Sequence, residues 1–342
     1  MLADWLTLSL DQGTPQHRQG VLEGGRYTIV GPGILHLTPD QVSVDARATV
    51  ISVGIHGNET APIELLGESL ARLEAGLNQL GAPVLVILGN LEAIRRGTRF
   101  IETNLNRLFK RELDLSGDEA DRARELMRAV DHFYAQHHGL PRLHYDLHTA
   151  IRDSQYPRFV VDPFAESATD EKQWHWLAGA GIQAALKQHQ HSWTFSHYSK
   201  HYHQAQAFTF ELGKALPFGH NDLSSLKQMG AMLDALIAGA RPEAGDGQEL
   251  IGFQVAVEVF RESKDFRLCF ADDTPNFTEF GCGETVAEDA STGATIVGNT
   301  PLRVVFPNAN VELGARAALL VEPTQLIHQP TTPESQDIEI TE

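Results

Sequence analysis

Cysteine is nearly absent from this chain: Cys269 and Cys282 are the only two among 342 residues. That is too few for a disulfide framework, and the pair reads as ordinary buried thiols of a reduced, cytoplasmic protein. Positive charge is also in short supply. Against 45 Asp and Glu stand 27 Lys and Arg, a formal net charge of −18. So acidic a chain offers no broad footprint for a phosphate backbone and is disfavoured at an anionic bilayer, so neither a nucleic acid nor a membrane is expected as partner. No apolar run approaches the roughly 18 residues of a membrane-spanning helix. The N-terminal MLADWLTLSLDQG has no basic leader and is broken by Asp4, unlike a secretory signal. What is present is core material, 42% hydrophobic against 21% charged, which argues against bulk disorder. The one compositional excess is histidine, 16 in all.

Short apolar runs alternate with longer amphipathic segments from about residue 47. Ala48–Gly54 (ATVISVG) and Pro83–Leu88 (PVLVIL) are near-continuous and apolar, as in strands buried on both faces. Between them, Ile63, Leu66, Leu70, Leu73 and Leu77 recur at three and four, which predicts a helix over 60–80. Further helices are expected over 118–138, 172–187 and 222–240, and strands over 143–147, 158–161 and 207–212. This alternation predicts an α/β fold, a largely parallel sheet flanked by helices, with ligands beyond the carboxyl ends of its strands. Gly239–Glu249 (GARPEAGDGQE) is polar and rich in glycine and proline, and marks a boundary. The chain is thus expected to divide into a catalytic domain over 1–245, a small β domain over 246–330, and a disordered tail over 331–342.

Four separated motifs carry chemistry. In GIHGNET, directly after the first buried strand, His56 and Glu59 lie three apart at a strand-to-helix turn and can face one point. Imidazole plus carboxylate is a set that zinc accepts. A plain helix start, with Asn58 or Thr60 as cap, explains the same residues. In DLHTA, His148 ends another strand and offers a third ligand, while Asp146, two residues back, shares its face and can support it. A core histidine is the alternative. In FTFELGK, Glu211 sits within an apolar strand, where a carboxylate needs a reason. A general base is one, and an ion pair with Lys214 is another. Finally, Arg95, Arg96, Arg99 and Arg107 gather around GTRF and NLNRLF, either as solvated charge or as a local site for a small anion in an acidic protein. The histidine-rich stretch His189–His203 has mixed spacings and no matching carboxylates, and reads as a polar region rather than a second metal site.

Together, GIHGNET, GTRF with NLNRLF, DLHTAIR and FELGKALPFG resemble the succinylglutamate desuccinylase/aspartoacylase family of zinc-carboxypeptidase-like hydrolases over nearly the whole chain. DLHTAIR and ELGKALPFGHNDL are most similar to its bacterial succinylglutamate-hydrolysing branch. The resemblance implies one Zn2+ per subunit held by His56, Glu59 and His148, and Glu211 as the catalytic carboxylate. It further implies that Arg99 polarises the scissile carbonyl, that Asn106 and Arg107 grip a substrate carboxylate, and that a small β domain follows from about residue 247. The tyrosine that aspartoacylases carry in that domain has no counterpart, because no Tyr follows Tyr202. The implied reaction is hydrolysis of N-succinyl-L-glutamate to succinate and L-glutamate, the last step of arginine breakdown through succinylated intermediates. Such a substrate has three carboxylates, so an added cationic contact is expected from Arg152, with Lys214 the weaker choice. A related N-acyl-amino-acid deacylase or metallocarboxypeptidase is the nearest alternative, and a non-catalytic zinc- or anion-binding module the alternative of another class.

Overall fold

The computed structural model describes residues 2, 4–11, 18–247 and 249–327, so the tail expected over 331–342 lies outside the described residues. In chain order, α1 (Trp5–Leu10) precedes β1 (Gln19–Leu22), β2 (Gly25–Gly31) and β3 (Ile34–Pro39). Next come β4 (Ala48–Val53), α2 (Ala61–Glu74), β5 (Val84–Leu88), α3 (Leu91–Arg96), α4 (Asp118–Gln136), β6 (Arg142–Ala150) and β7 (Arg158–Asp162). They are followed by α5 (Glu171–Gly179), β8 (Ala184–Lys187), α6 (Phe195–His203), β9 (Gln206–Lys214) and α7 (Lys227–Ile237). The C-terminal strands are β10 (Ile251–Phe260), β11 (Arg267–Leu268), β12 (Thr278–Phe280), β13 (Thr285–Asp289), β14 (Gly293–Ile296), β15 (Leu302–Val305) and β16 (Arg316–Pro323).

Strands β5, β4, β6 and β9 run parallel at the centre of a 13-stranded mixed sheet, and every residue of β4 and β5 is buried. Burial on both faces is why these segments read as unbroken apolar runs rather than alternating ones. One core packs α2, α5 and α7 against the sheet, around Leu66, Leu70, Trp174 and Leu233. The opposite core packs α4 and α6, around Leu126, Phe133, Phe195 and Tyr198. Past α7 the chain re-enters the same sheet as β10, parallel to β8 and antiparallel to β16, while β11, β13 and β14 form a separate small antiparallel sheet. Among the described residues no helix is long and apolar enough to cross a membrane.

Three expected helices end or begin elsewhere. The first stops at Glu74, because Gly76 turns into the left-handed region at φ +69, and Leu77, counted in the buried stripe, is exposed. The segment expected as one helix over 172–187 is a helix to Gly179 and then strand β8, whose Ala184, Ala185 and Leu186 fill the sheet between β7 and β10. A run of only three apolar residues fits either state, and sheet pairing decided it. The third, expected over 222–240, opens as a 3-10 turn at Leu223–Leu226 before α7. Nor are the cysteines buried: Cys269 is half-buried, Cys282 is exposed, and both are free.

Candidate active site

Parallel strands β4, β6 and β9 all end at one edge of the sheet, and the polar motifs lie on or just beyond those ends. His56 and Glu59 sit in the turn from β4 into α2. That turn is held tightly: a side chain at Gly57 would meet the α3 backbone at Ala93, with its Cβ 2.1 Å from the carbonyl carbon, and Gly57 N–H donates to the Arg99 carbonyl at 3.1 Å. His148 lies on β6, directly opposite Glu211 on β9. The pleat aims Asp146 and His148 to the same face, and register brings Glu211 beside them.

His56, Glu59 and His148 are 2–4% exposed. His56 Nδ1 lies 2.9 Å from Glu59 Oε1, His148 Nδ1 lies 2.8 Å from Glu59 Oε2, and the two Nδ1 atoms are 3.2 Å apart. The outer nitrogens have their own oxygen partners. His148 Nε2 faces Asp146 Oδ2 at 2.9 Å, and His56 Nε2 faces Asn104 Oδ1 at 3.0 Å. Each ring can donate outward from Nε2, which turns both Nδ1 lone pairs and the Glu59 carboxylate inward on one point. Two lone pairs and an anion packed together in a buried space need a cation between them.

Without a metal ion that cation is a proton. Burial works against charging His148, but Asp146 and Glu59 outweigh it and hold its pKa well above the ordinary value. Burial also opposes ionised Glu59, and His56 and His148 overcome that to hold it well below the usual carboxylate range. His56 is pushed down by burial, against the pull of Glu59. The donor set suits zinc as well. Nitrogens about 2.0–2.1 Å from a tetrahedral ion are necessarily about 3.3 Å apart, and the outward carboxylate and amide are the partners that metal-binding imidazoles ordinarily keep.

Glu211 is 8% exposed, and its Oε2 has no hydrogen-bond partner among the described residues. Burial, and then the nearby Glu59 charge, push its pKa up to about 8. Arg99, half-buried, donates from Nη1 to Glu59 Oε1 at 2.7 Å. Asn106 is buried; its Nδ2 lies 3.4 Å from His148 Nε2, and its Oδ1 accepts from Phe195 N–H at 3.0 Å. Arg107 is exposed, donates to the Asn106 carbonyl and has no carboxylate within ion-pair distance among the described residues. The protein crowding its guanidinium, then Arg316 of β16 and Arg99, push its pKa down to about 10. Arg152 is half-buried, also without an acidic partner among the described residues, whereas exposed Lys214 pairs with Asp153 at 3.2 Å.

Two residues escaped the sequence reading. Asn104 lies within the quoted NLNRLF motif, but only the fold shows it facing His56. Glu119, in the first turn of α4, is 5% exposed and accepts from the backbone N–H groups of Ile101, Glu102 and Thr103. It thereby clamps the loop that carries Arg99 and Asn106. In sequence it looks like an ordinary acidic residue at a helix start.

The geometry can be compared with known proteins. Residues 45–237 match the family model described as the succinylglutamate desuccinylase/aspartoacylase catalytic domain, and residues 248–324 match the AstE/AspA barrel-sandwich hybrid domain. A curated succinylglutamate desuccinylase of Pseudomonas paraeruginosa is 42% identical over 331 residues, covering 95% of this chain and 99% of that protein. The crystal structure of succinylglutamate desuccinylase from Vibrio parahaemolyticus superposes with a TM-score of 0.87 at 34% identity, covering 94% of this chain and 95% of that one. Its counterpart from Vibrio cholerae gives 0.86 at 33%, covering 93% and 94%. Fold, site and kinship together define a hydrolase that acts on an amide. The chain belongs to the succinylglutamate desuccinylase/aspartoacylase family.

Proposed function

We propose that this protein hydrolyses N-succinyl-L-glutamate to succinate and L-glutamate, completing arginine breakdown through succinylated intermediates, with one Zn2+ per subunit. The observation that carries the reading is the inward convergence of His56 Nδ1, His148 Nδ1 and the Glu59 carboxylate, facing Glu211 across the β6–β9 register. His56, Glu59 and His148 would hold the ion, with Asp146 and Asn104 fixing the rings. Zinc, when bound, supplies Lewis acidity that acidifies water and polarises a carbonyl.

The rest falls to the chain's own side chains. Glu211, whose Oε2 has no hydrogen-bond partner among the described residues, takes the proton of the attacking water and returns it to the departing glutamate nitrogen. Arg99 turns from Glu59 towards the developing oxyanion, a contact of the kind worth several kcal/mol. Arg107, uncompensated at the mouth, receives a substrate carboxylate, and Asn106 orients the group beside it. Arg152 receives the succinyl carboxylate, whereas Lys214, already paired with Asp153, is the lesser partner. In this reading residues 1–245 form the catalytic unit, and the β unit over 246–330 contributes Arg316 to the positive field around Arg107.

Two variants test it in one assay with metal analysis. Glu211→Gln is expected to keep its zinc while kcat on succinylglutamate falls about 10²- to 10⁴-fold; unchanged turnover removes Glu211 as the base. Arg152→Leu is expected to lose turnover of succinylglutamate while sparing N-acetylglutamate. An equal loss on both substrates rejects the succinyl contact.

A further inference from the structure

The geometry points to a second divalent-metal site, outside the catalytic pocket, formed by the imidazoles of His191, His197 and His201, for a late first-row ion such as Zn2+, Ni2+ or Cu2+. In sequence the spacings of this stretch are irregular. In the fold, His197 and His201 stand four apart on α6, one turn above each other, and the segment between β8 and α6 brings His191 over them. One ring nitrogen from each residue lies within 4.8 Å of the other two. His191 Nδ1 is 2.9 Å from His197 Nε2, and the His197 and His201 rings stack at 12° with centroids 5.4 Å apart.

Three observations favour a ligand over incidental packing. His197 is fully buried, its Nδ1 has no partner among the described residues, and the ring's one hydrogen-bond contact there is another imidazole. The Nε2 of that buried ring is thus turned towards the other two imidazoles, where two ring nitrogens meet with no acceptor other than each other, a costly arrangement unless a third party completes it. His191 and His201 are exposed, which leaves the site open to an incoming ion and to water in the remaining coordination positions. The rings are also fixed in place. Trp193 takes a left-handed conformation at φ +53, unusual for a bulky residue, and stacks on His191 at 21°, while Phe164 meets the same ring at 82°. An all-imidazole set suits zinc, copper and nickel and is poor for magnesium or calcium.

An ion there would pin the 188–194 segment to α6. The segment is tied to the loop of the catalytic site: Trp193 C=O accepts from Phe109 N–H, and the adjoining Phe195 N–H donates to Asn106.

Metal stoichiometry on untagged full-length protein tests the assignment. Chelator-stripped protein is loaded with a modest excess of Zn2+, freed of unbound ion by gel filtration and analysed for metal per chain. Two ions per chain are expected, falling to one in His191→Ala/His201→Ala; both positions are exposed, so the fold is retained. Loss of the catalytic group in His56→Ala/Glu59→Gln should also leave one ion, and Cu2+ bound to that variant should show imidazole nitrogen couplings by EPR. Those couplings should vanish when His191 and His201 are removed as well, and His201→Ala alone should weaken binding at least about tenfold. Equal metal content in the wild type and His191→Ala/His201→Ala overturns the second site. Undiminished content in His56→Ala/Glu59→Gln counts instead against the catalytic zinc, and so separates the two failures.

Discussion

Glu119 illustrates how one side chain far from any reacting atom can govern a site. Its two oxygens collect three consecutive backbone N–H groups and the Asn90 amide, and so anchor the loop between Arg99 and Asn106 to α4. Glu119→Leu leaves those donors without an acceptor, at about 1–3 kcal/mol for each that stays buried. A lower Tm is expected, with kcat/KM reduced about 10- to 100-fold by misplacement of Arg99 and Asn106. Glu119→Gln, which keeps one acceptor oxygen, should fall between. A variant with wild-type kcat/KM and lowered Tm would make Glu119 structural only. At this scale the sequence was legible for His56, Glu59, His148, Asp146 and Glu211, whose type and local spacing single them out. Asn104 and Glu119 were not legible, because their partners lie 48 and about 17 residues away and only packing brings them near.

Glycines show how elements set the site. In the turn from β4 to α2, Gly57 lets α3 approach to backbone contact, and this fixes His56 and Glu59 relative to Arg99. Gly57→Ala forces a methyl into the Ala93 carbonyl, so a loss of roughly 1–3 kcal/mol or more is expected, together with reduced metal content. Gly67, inside α2, meets nothing within 4 Å. Gly67→Ala should therefore stabilise by roughly 0.5–1 kcal/mol and leave turnover unchanged. Chemical denaturation of both variants checks the contrast. Elements buried on two faces, β4 and β5, declared themselves in sequence. Helix α6 did not: its Ser, His and Tyr residues are mediocre helix formers, and it exists because Phe195 and Tyr198 pack into the α4 core. The N-terminal strands β1 to β3, of which β1 forms the edge, were also unread.

Across the molecule, the histidine excess becomes a dependence on pH. His36, on β3 with its ring against Phe133 of α4, is pushed down to about 4 by burial, with His137, His132 and Arg26 adding to the effect. Buried His144 is pushed to about 4 in the same way, only partly opposed by Asp146. A histidine with a depressed folded-state pKa binds its proton more readily in the unfolded chain. Stability is then present above about pH 6.5 and lost as pH falls towards 4, by up to about 1.4 kcal/mol per pH unit for each group. His36→Leu is expected to flatten that slope in denaturation curves taken between pH 7 and 4.5. An unaltered slope would show that His36 is accessible to protons in the folded state.

The −18 charge, the αβ alternation and the identities of the chemical groups were determined by the sequence alone, because they depend on composition and on neighbours within a turn or a strand. Composition argues against polyanionic partners, and local spacing placed His56 near Glu59 and Asp146 near His148. Tertiary structure decided which of these groups meet. The registers of β4, β6 and β9 bring His56 Nδ1 to 3.2 Å from His148 Nδ1 across 92 residues and set Glu211 opposite. Packing likewise brings Arg99 and Arg316 near Arg107, and folds an irregular histidine stretch into one cluster. The physical reason is common to all of these: spacing along a strand or helix fixes the direction of a side chain, while distance between elements is fixed by strand pairing and core packing.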